Sequence, residues 1–244
     1  MQGSSKKIAL ITGANKGIGF GIARELGKAG MSVLLGARNA GLGEEAATKL
    51  RSENLDVRFI QVDLVRPETI QAAAASIAAQ FQRLDVLINN AAIADQADGP
   101  PSTADLNSVQ RIMETNFLGT LAITQAMLPL LRKADAARIV NLSSGLGSLK
   151  KNGDPNWGFA SYKLIGYCAS KAALNMLTVQ LAYELRDTTI KVNSVSPGFV
   201  ATDMNQHRGT KTVEEGAAGP VRLALLPPDG PTGSFFDENG PHPW

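Results

Sequence analysis

The sequence predicts an α/β fold, a doubly wound parallel β-sheet covered by helices on both faces. Two observations carry this expectation. Short apolar runs rich in β-branched residues recur along the chain, with longer stretches of helical spacing between them. The 244 residues suit one large domain, and no repeat or long linker divides them, so residues 1–244 are expected to form a single unit.

The strand-like runs are, in order, Ile8–Ile11, Ser32–Leu35, Val57–Val62, Asp85–Asn89, Arg138–Leu142 and Ile190–Val195. Helices fit the gaps between them. Two stretches break the rhythm. Leu149 to Ser161, mixing Lys, Asn, Gly, Pro and Trp, reads as a loop between a strand and a helix. The Pro- and Gly-rich tail from Pro227 contains Gly233–Asp237, which reads as a final strand. Strand order does not follow from periodicity, but ligands of open sheets of this kind sit beyond the carboxyl ends of the strands.

Composition excludes several classes. With 44% hydrophobic and 19% charged residues the chain is neither disordered nor fibrous. A net charge of +2 without a basic run argues against nucleic acid as partner. One cysteine, Cys168, forbids an internal disulfide, and two histidines are too few for a zinc site, so no metal is expected. Met1 to Lys7 lacks the apolar core of a secretory leader, and the longest uncharged run, Thr115 to Leu131, reads as a packed helix, so a cytoplasmic location is expected, with no membrane partner.

Directly after the first run comes Gly13-Ala14-Asn15-Lys16-Gly17-Ile18-Gly19, followed by the helical spacing of Ile22 to Leu26. Glycines let a backbone approach a pyrophosphate closely, and a helix N-terminus presents free N–H groups and a positive dipole. The bland alternative is a tight turn, which the strand before and the helix after it disfavour. The second run ends at Leu35-Gly36-Ala37-Arg38, where folds that bind NAD usually carry an acid. Arg38 there, with Lys16 from the glycine turn, suits a 2′-phosphate and favours NADPH over NADH.

Tyr167 and Lys171 are four apart and share a helix face. A neighbouring ammonium favours phenolate and is expected to lower the tyrosine pKa, which suits proton transfer. That spacing alone is common on surface helices; its company is not. The glycine turn, Asn89-Asn90-Ala91-Ala92, Asn141-Leu142-Ser143-Ser144, Tyr167-x-x-x-Lys171 and Pro197-Gly198 occur in the order of the short-chain dehydrogenase/reductase family, which the chain resembles from about Lys7 to Asp203.

The resemblance implies a Rossmann-type sheet and a set of roles. Tyr167 would donate a proton, Ser144 would orient a substrate carbonyl, Lys171 would hold the nicotinamide ribose, and Asn116 would anchor a water of the proton relay. Gly13, Asn15, Lys16, Gly17, Ile18 and Gly19 would cradle the cofactor, Asp63 and Leu64 would meet the adenine, and Asn90 would line the cleft. Pro197, Gly198, Val200 and Thr202 would flank the nicotinamide. Taken singly, Ser144 or Asn116 would more often be an ordinary cap or a buried satisfied group. Ala92 stands where the family usually has glycine, and Tyr167 follows Ser144 by 23 residues, a longer interval than usual. That interval makes Leu149 to Ser161 an insertion, and with Arg38 and the ending in Trp244 it resembles the carbonyl-reductase subgroup. The expected activity is NADPH-dependent reduction of a ketone or aldehyde. An alcohol or hydroxysteroid dehydrogenase working oxidatively and a non-catalytic NADP-binding regulator are the alternatives. The Thr115 to Leu131 helix and the alanine-rich face after Tyr167 resemble the family's dimer-forming helices, so a homo-oligomer is expected unless the insertion caps that surface.

Overall fold

The computed structural model describes residues 6–244; the opening Met1 to Ser5, part of the run read above as no leader, lies outside them. Strands β1 (Ile8–Ile11), β2 (Ser32–Ala37), β3 (Val57–Gln61), β4 (Val86–Asn89), β5 (Arg138–Leu142), β6 (Lys191–Val195) and β7 (Ser234–Asp237) pair in parallel. A short β8 (Gly240–Pro241) adds antiparallel to β7. Their order is β3-β2-β1-β4-β5-β6-β7-β8, so the winding direction reverses between β1 and β4. A crevice opens at such a reversal, outside the carboxyl ends of the strands.

Alternation along each strand supplies two cores. Leu10, Leu34, Leu87, Ile139 and Val192 point to one face and pack with Ile70 and Ile77 of α3 (Pro67–Phe81), Ile123 and Met127 of α5 (Thr120–Leu131) and Leu181 of α7 (Ile165–Glu184). Ile11, Val33, Leu35, Ile88 and Val140 point to the other. They meet Ile22 and Leu26 of α1 (Gly17–Lys28), Leu50 of α2 (Ala40–Ser52) and Leu223 of α8 (Val213–Ala224). Strands apolar on both faces are what a sheet covered on both sides requires.

Three expectations need correction. β2 runs on to Ala37 through Gly36, where a Cβ would lie 2.8 Å from the Ile11 carbonyl oxygen; the glycine marks close strand packing rather than a strand end. The Thr115 to Leu131 helix does not stand alone: α4 (Leu106–Met113) passes through a π-helical turn, Glu114–Gly119, into α5. Leu149 to Ser161 is not wholly loop, because Ser148 accepts the Lys151 N–H at 3.2 Å and caps a short α6 (Leu149–Asn152). The tail then pins that segment, the Trp244 carbonyl accepting from Ser148 Oγ at 3.0 Å and Lys150 N at 3.1 Å, while its ring stacks on Phe235. Among the described residues no helix is long and apolar enough to cross a membrane.

Candidate active site

A cleft of about 570 Å³ lies at the carboxyl ends of the strands. Its size falls within the range of small-molecule and cofactor sites. Gly13, Asn15, Lys16, Gly17, Ile18 and Gly19 form one lip, and Gly13 and Gly17 hold φ of +63° and +54°. A Cβ on Gly19 would stand 2.7 Å from the Gly13 carbonyl oxygen and 2.5 Å from Asn90 Nδ2. Asn90 donates through Nδ2 to the carbonyls of Thr12 and Gly13, at 2.8 and 3.0 Å, and so ties the end of β4 to the turn. No side chain caps the first turn of α1, whose N–H groups face this space.

Arg38 follows the last residue of β2 and lines the cleft with its side chain exposed, in no ion pair with any described residue. Lys16 differs from expectation. Its ammonium is held 2.6 Å from Asp203 Oδ2, and Asp203 also meets His207 Nε2 at 2.9 Å. The Lys16 contact holds the Asp203 carboxyl below its ordinary range. Asp63 and Leu64 line the adjoining wall; the Asp63 carboxylate accepts from Val65 N, and its backbone is clasped by the Thr69 hydroxyl.

Tyr167, in the first turn of α7, and Lys171, one turn later, face the same cleft. Lys171 Nζ donates to the Leu142 carbonyl at 2.8 Å and stands 5.6 Å from the centre of the Tyr167 ring. Here the expected pKa argument reverses. Burial pushes the Tyr167 phenol up to about 12, opposed by its hydrogen bond with the Ser144 side chain. Burial also drives Lys171 down to about 8. Desolvation is the largest influence on both groups, and the ammonium's hydrogen bond goes to the end of β5. The half-buried Ser144 hydroxyl accepts from Leu146 N at 3.2 Å, next to Ser143, which lines the cleft.

Asn116 is buried in the π-helical turn, a local widening frequent at functional sites. Its Oδ1 accepts from Ile93 N at 2.8 Å, and its Nδ2 donates to Ile93 O at 2.9 Å and Ser170 Oγ at 3.1 Å. The Ser170 hydroxyl in turn donates to the Tyr167 carbonyl at 2.8 Å. Pro197 and Thr202 line the cleft. Gly198 and Val200 do not: Gly198, at φ +82°, lies against the Lys211 side chain, and Val200 is buried against Gly216. Sequence reasoning missed three polar residues of this region, Ser170, Asp203 and His207. Only Ser170 had a signal, three residues after Tyr167 on the same helical face.

Strand order, glycine turn and the Tyr167–Lys171 step together define a class, the dinucleotide-fold oxidoreductases built on a doubly wound sheet. Within it this chain belongs to the short-chain dehydrogenase family, whose model matches residues 7–212. Similar proteins place it in the carbonyl-reductase-like subgroup. Carbonyl reductase (NADPH) 1 of Mus musculus is 34% identical, covering 99% of this chain and 99% of that protein. Salutaridine reductase of Papaver bracteatum is 33% identical over 95% of this chain and 94% of its own. The NADPH-bound carbonyl reductase from chicken fatty liver superposes with a TM-score of 0.85 at 30% identity, over 98% of this chain and 99% of that one.

Proposed function

We propose that this protein uses NADPH to reduce a ketone or aldehyde to the alcohol, with Tyr167 as proton donor. The observation that carries the reading is the placing of Tyr167 on the wall of a glycine-cradled cleft, one helical turn before Lys171, whose ammonium is fixed on the Leu142 carbonyl. A phenol held protonated is set to give a proton rather than take one. It remains a stronger acid than the alcohol product, so transfer to a carbonyl oxygen gaining negative charge runs downhill.

The residues present fit a dinucleotide. A Cβ at Gly13 would lie 2.9 Å from Ala91 Cα, so glycine lets the turn pack on the chain after β4 at the cleft lip, and the uncapped α1 N-terminus suits a pyrophosphate. NADPH supplies the hydride when bound. Arg38 would hold its 2′-phosphate. Lys16 would join Arg38 by exchanging Asp203 for the phosphate, a small step because an exposed pair is worth only about 0–1 kcal/mol. Asp63 and Leu64 would meet the adenine, Pro197 and Thr202 would flank the nicotinamide, and Lys171 would hold its ribose. Ser144 would orient the substrate oxygen toward Tyr167, and Asn116 would hold the wall at Ile93. The names of the mouse and chicken relatives support both cofactor and reaction.

The test is a panel of ketones and aldehydes with NADPH and NADH, run on the wild type and Tyr167→Phe. Loss of the proton donor should lower kcat by about 10²- to 10⁴-fold while NADPH still binds. A wild type that reduces none of the panel, or a Phe variant near wild-type rate, overturns the reading.

A further inference from the structure

α7 carries Tyr167 in its first turn, where a helix leaves its leading N–H groups without intrahelical partners. Its own cap residue is Leu164, which has no acceptor side chain, and the first turn contains no acid. A first turn in that condition frays, and with it would go the position of the phenol. The missing acceptors come from a distant loop. Ile165 N donates to the Gly99 carbonyl at 3.0 Å, Gly166 N to Asp98 Oδ1 at 2.9 Å, and Tyr167 N to Asp98 Oδ2 at 2.9 Å. Asp98 Oδ1 also accepts from Gly99 N at 2.9 Å, which fixes the carboxylate in its own loop. The residue is 8% exposed, so the contacts are shielded from water, and a carboxylate at a helix N-terminus gains from the dipole as well.

We infer that Asp98 is a positioning residue for Tyr167: it caps the catalytic helix from the loop after β4 and holds the phenol against Ser144. It does not line the cleft. The contact is tight on the other side too, since a Cβ at Gly166 would lie 3.1 Å from Val109 Cα of α4 and 3.3 Å from Asp98 Oδ1. Lys171 lies a full turn further on, past the N–H groups that Asp98 holds, and its ammonium is anchored separately on Leu142. Asp98 therefore governs the proton donor without governing the cofactor cleft. The loop that carries it is the continuation of the cleft wall Ala91–Ala94, which Asn116 clamps at Ile93.

This rests on the reading of Tyr167 as proton donor. The experiment measures kcat, the KM for NADPH and direct NADPH binding by fluorescence for Asp98→Ala and Asp98→Asn, with Tyr167→Phe alongside. A displacement of about 1 Å at a reacting group can cost about a hundredfold, so kcat of Asp98→Ala should fall about ten- to a hundredfold. NADPH affinity and KM should stay within about threefold, which is the tolerance of an undisturbed site. Asp98→Asn keeps one oxygen acceptor and should recover part of the rate; it also carries the test if the alanine variant does not fold. Wild-type kcat in both variants overturns the inference, and so does a parallel loss of rate and NADPH binding. If Tyr167→Phe turns over normally, the functional reading itself falls. If that variant is inactive while both Asp98 variants work at full rate, only the role of Asp98 falls.

Discussion

Lys171 is placed at the cost of stability, and Lys171→Met measures that cost. Its pKa is about 8 in the folded chain against an ordinary 10.5, a depression caused by burial. At about 1.4 kcal/mol per unit, the charged ammonium penalises the fold by about 3 kcal/mol at neutral pH. Between pH 8 and 10.5 the folded lysine has released its proton while the unfolded one has not. The Lys171 contribution to wild-type stability therefore rises with pH across that window, and below it the penalty is constant. Methionine removes the penalty but orphans the Leu142 carbonyl that Nζ meets at 2.8 Å, which costs about 1–3 kcal/mol. The variant should accordingly equal or exceed the wild type in stability at pH 7 and fall below it near pH 10.5, the gap moving by about 3 kcal/mol. Tyr167, raised by its own burial, is common to both proteins and cancels in the difference. Guanidinium unfolding of the cofactor-free proteins at pH 7, 8, 9 and 10.5 gives the gap directly. A gap that does not change with pH would refute the argument, whatever happens to activity.

Two further outcomes follow from the cleft. Gly19→Ala, which on an ordinary helix would gain about 1 kcal/mol, should instead lose about 1–3 kcal/mol and weaken NADPH, because its Cβ would lie 2.5 Å from Asn90 Nδ2 and 2.7 Å from the Gly13 carbonyl oxygen. Thermal unfolding with and without NADPH reads both effects, and a raised melting temperature contradicts the cradle. Arg38→Ala should cost about 1.5–3 kcal/mol with NADPH, roughly ten- to a hundredfold, and leave NADH nearly unchanged. The ratio of kcat/KM for the two cofactors measures it, and an unchanged ratio removes Arg38 from phosphate recognition.

The features legible in the sequence are those written in consecutive residues. Ile8–Ile11 and Arg138–Leu142 match their strands to the residue, because a strand buried on both faces is dominated by β-branched and other apolar residues in one short run, even where Arg138 and Asn141 interrupt it. The glycine turn was legible for a similar reason, since strand, turn and helix N-terminus follow one another along the chain. The run Ser32–Leu35 stops two residues short of β2 because the small residues Gly36 and Ala37, which admit the neighbouring strand, carry little apolar signal. The π-helical turn at Asn116 inserts a slip that the apolar spacing tolerates, so periodicity carried no sign of it.

What stayed hidden depends on where the chain returns. Lys16 and Asp203 are 187 positions apart, and nothing in either local pattern announces that the segment after β6 brings a carboxylate onto the glycine turn. Asp98 meets α7 across 68 and 69 positions, and Leu164 gives no hint of it; only the absence of a local cap before Tyr167 could have prompted a search for a distant acceptor. The pKa reversal has the same origin. A Tyr-x-x-x-Lys spacing gives which charges are near, but the sign of the shift depends on how deeply both are buried and on where the ammonium finds its acceptor. Both are set by packing at the end of β5, where Lys171 finds the Leu142 carbonyl and desolvation pushes the Tyr167 phenol up. A pair that the sequence presents as a phenol beside an ammonium is thus folded with that ammonium bound to the end of β5, 5.6 Å from the centre of the phenol ring.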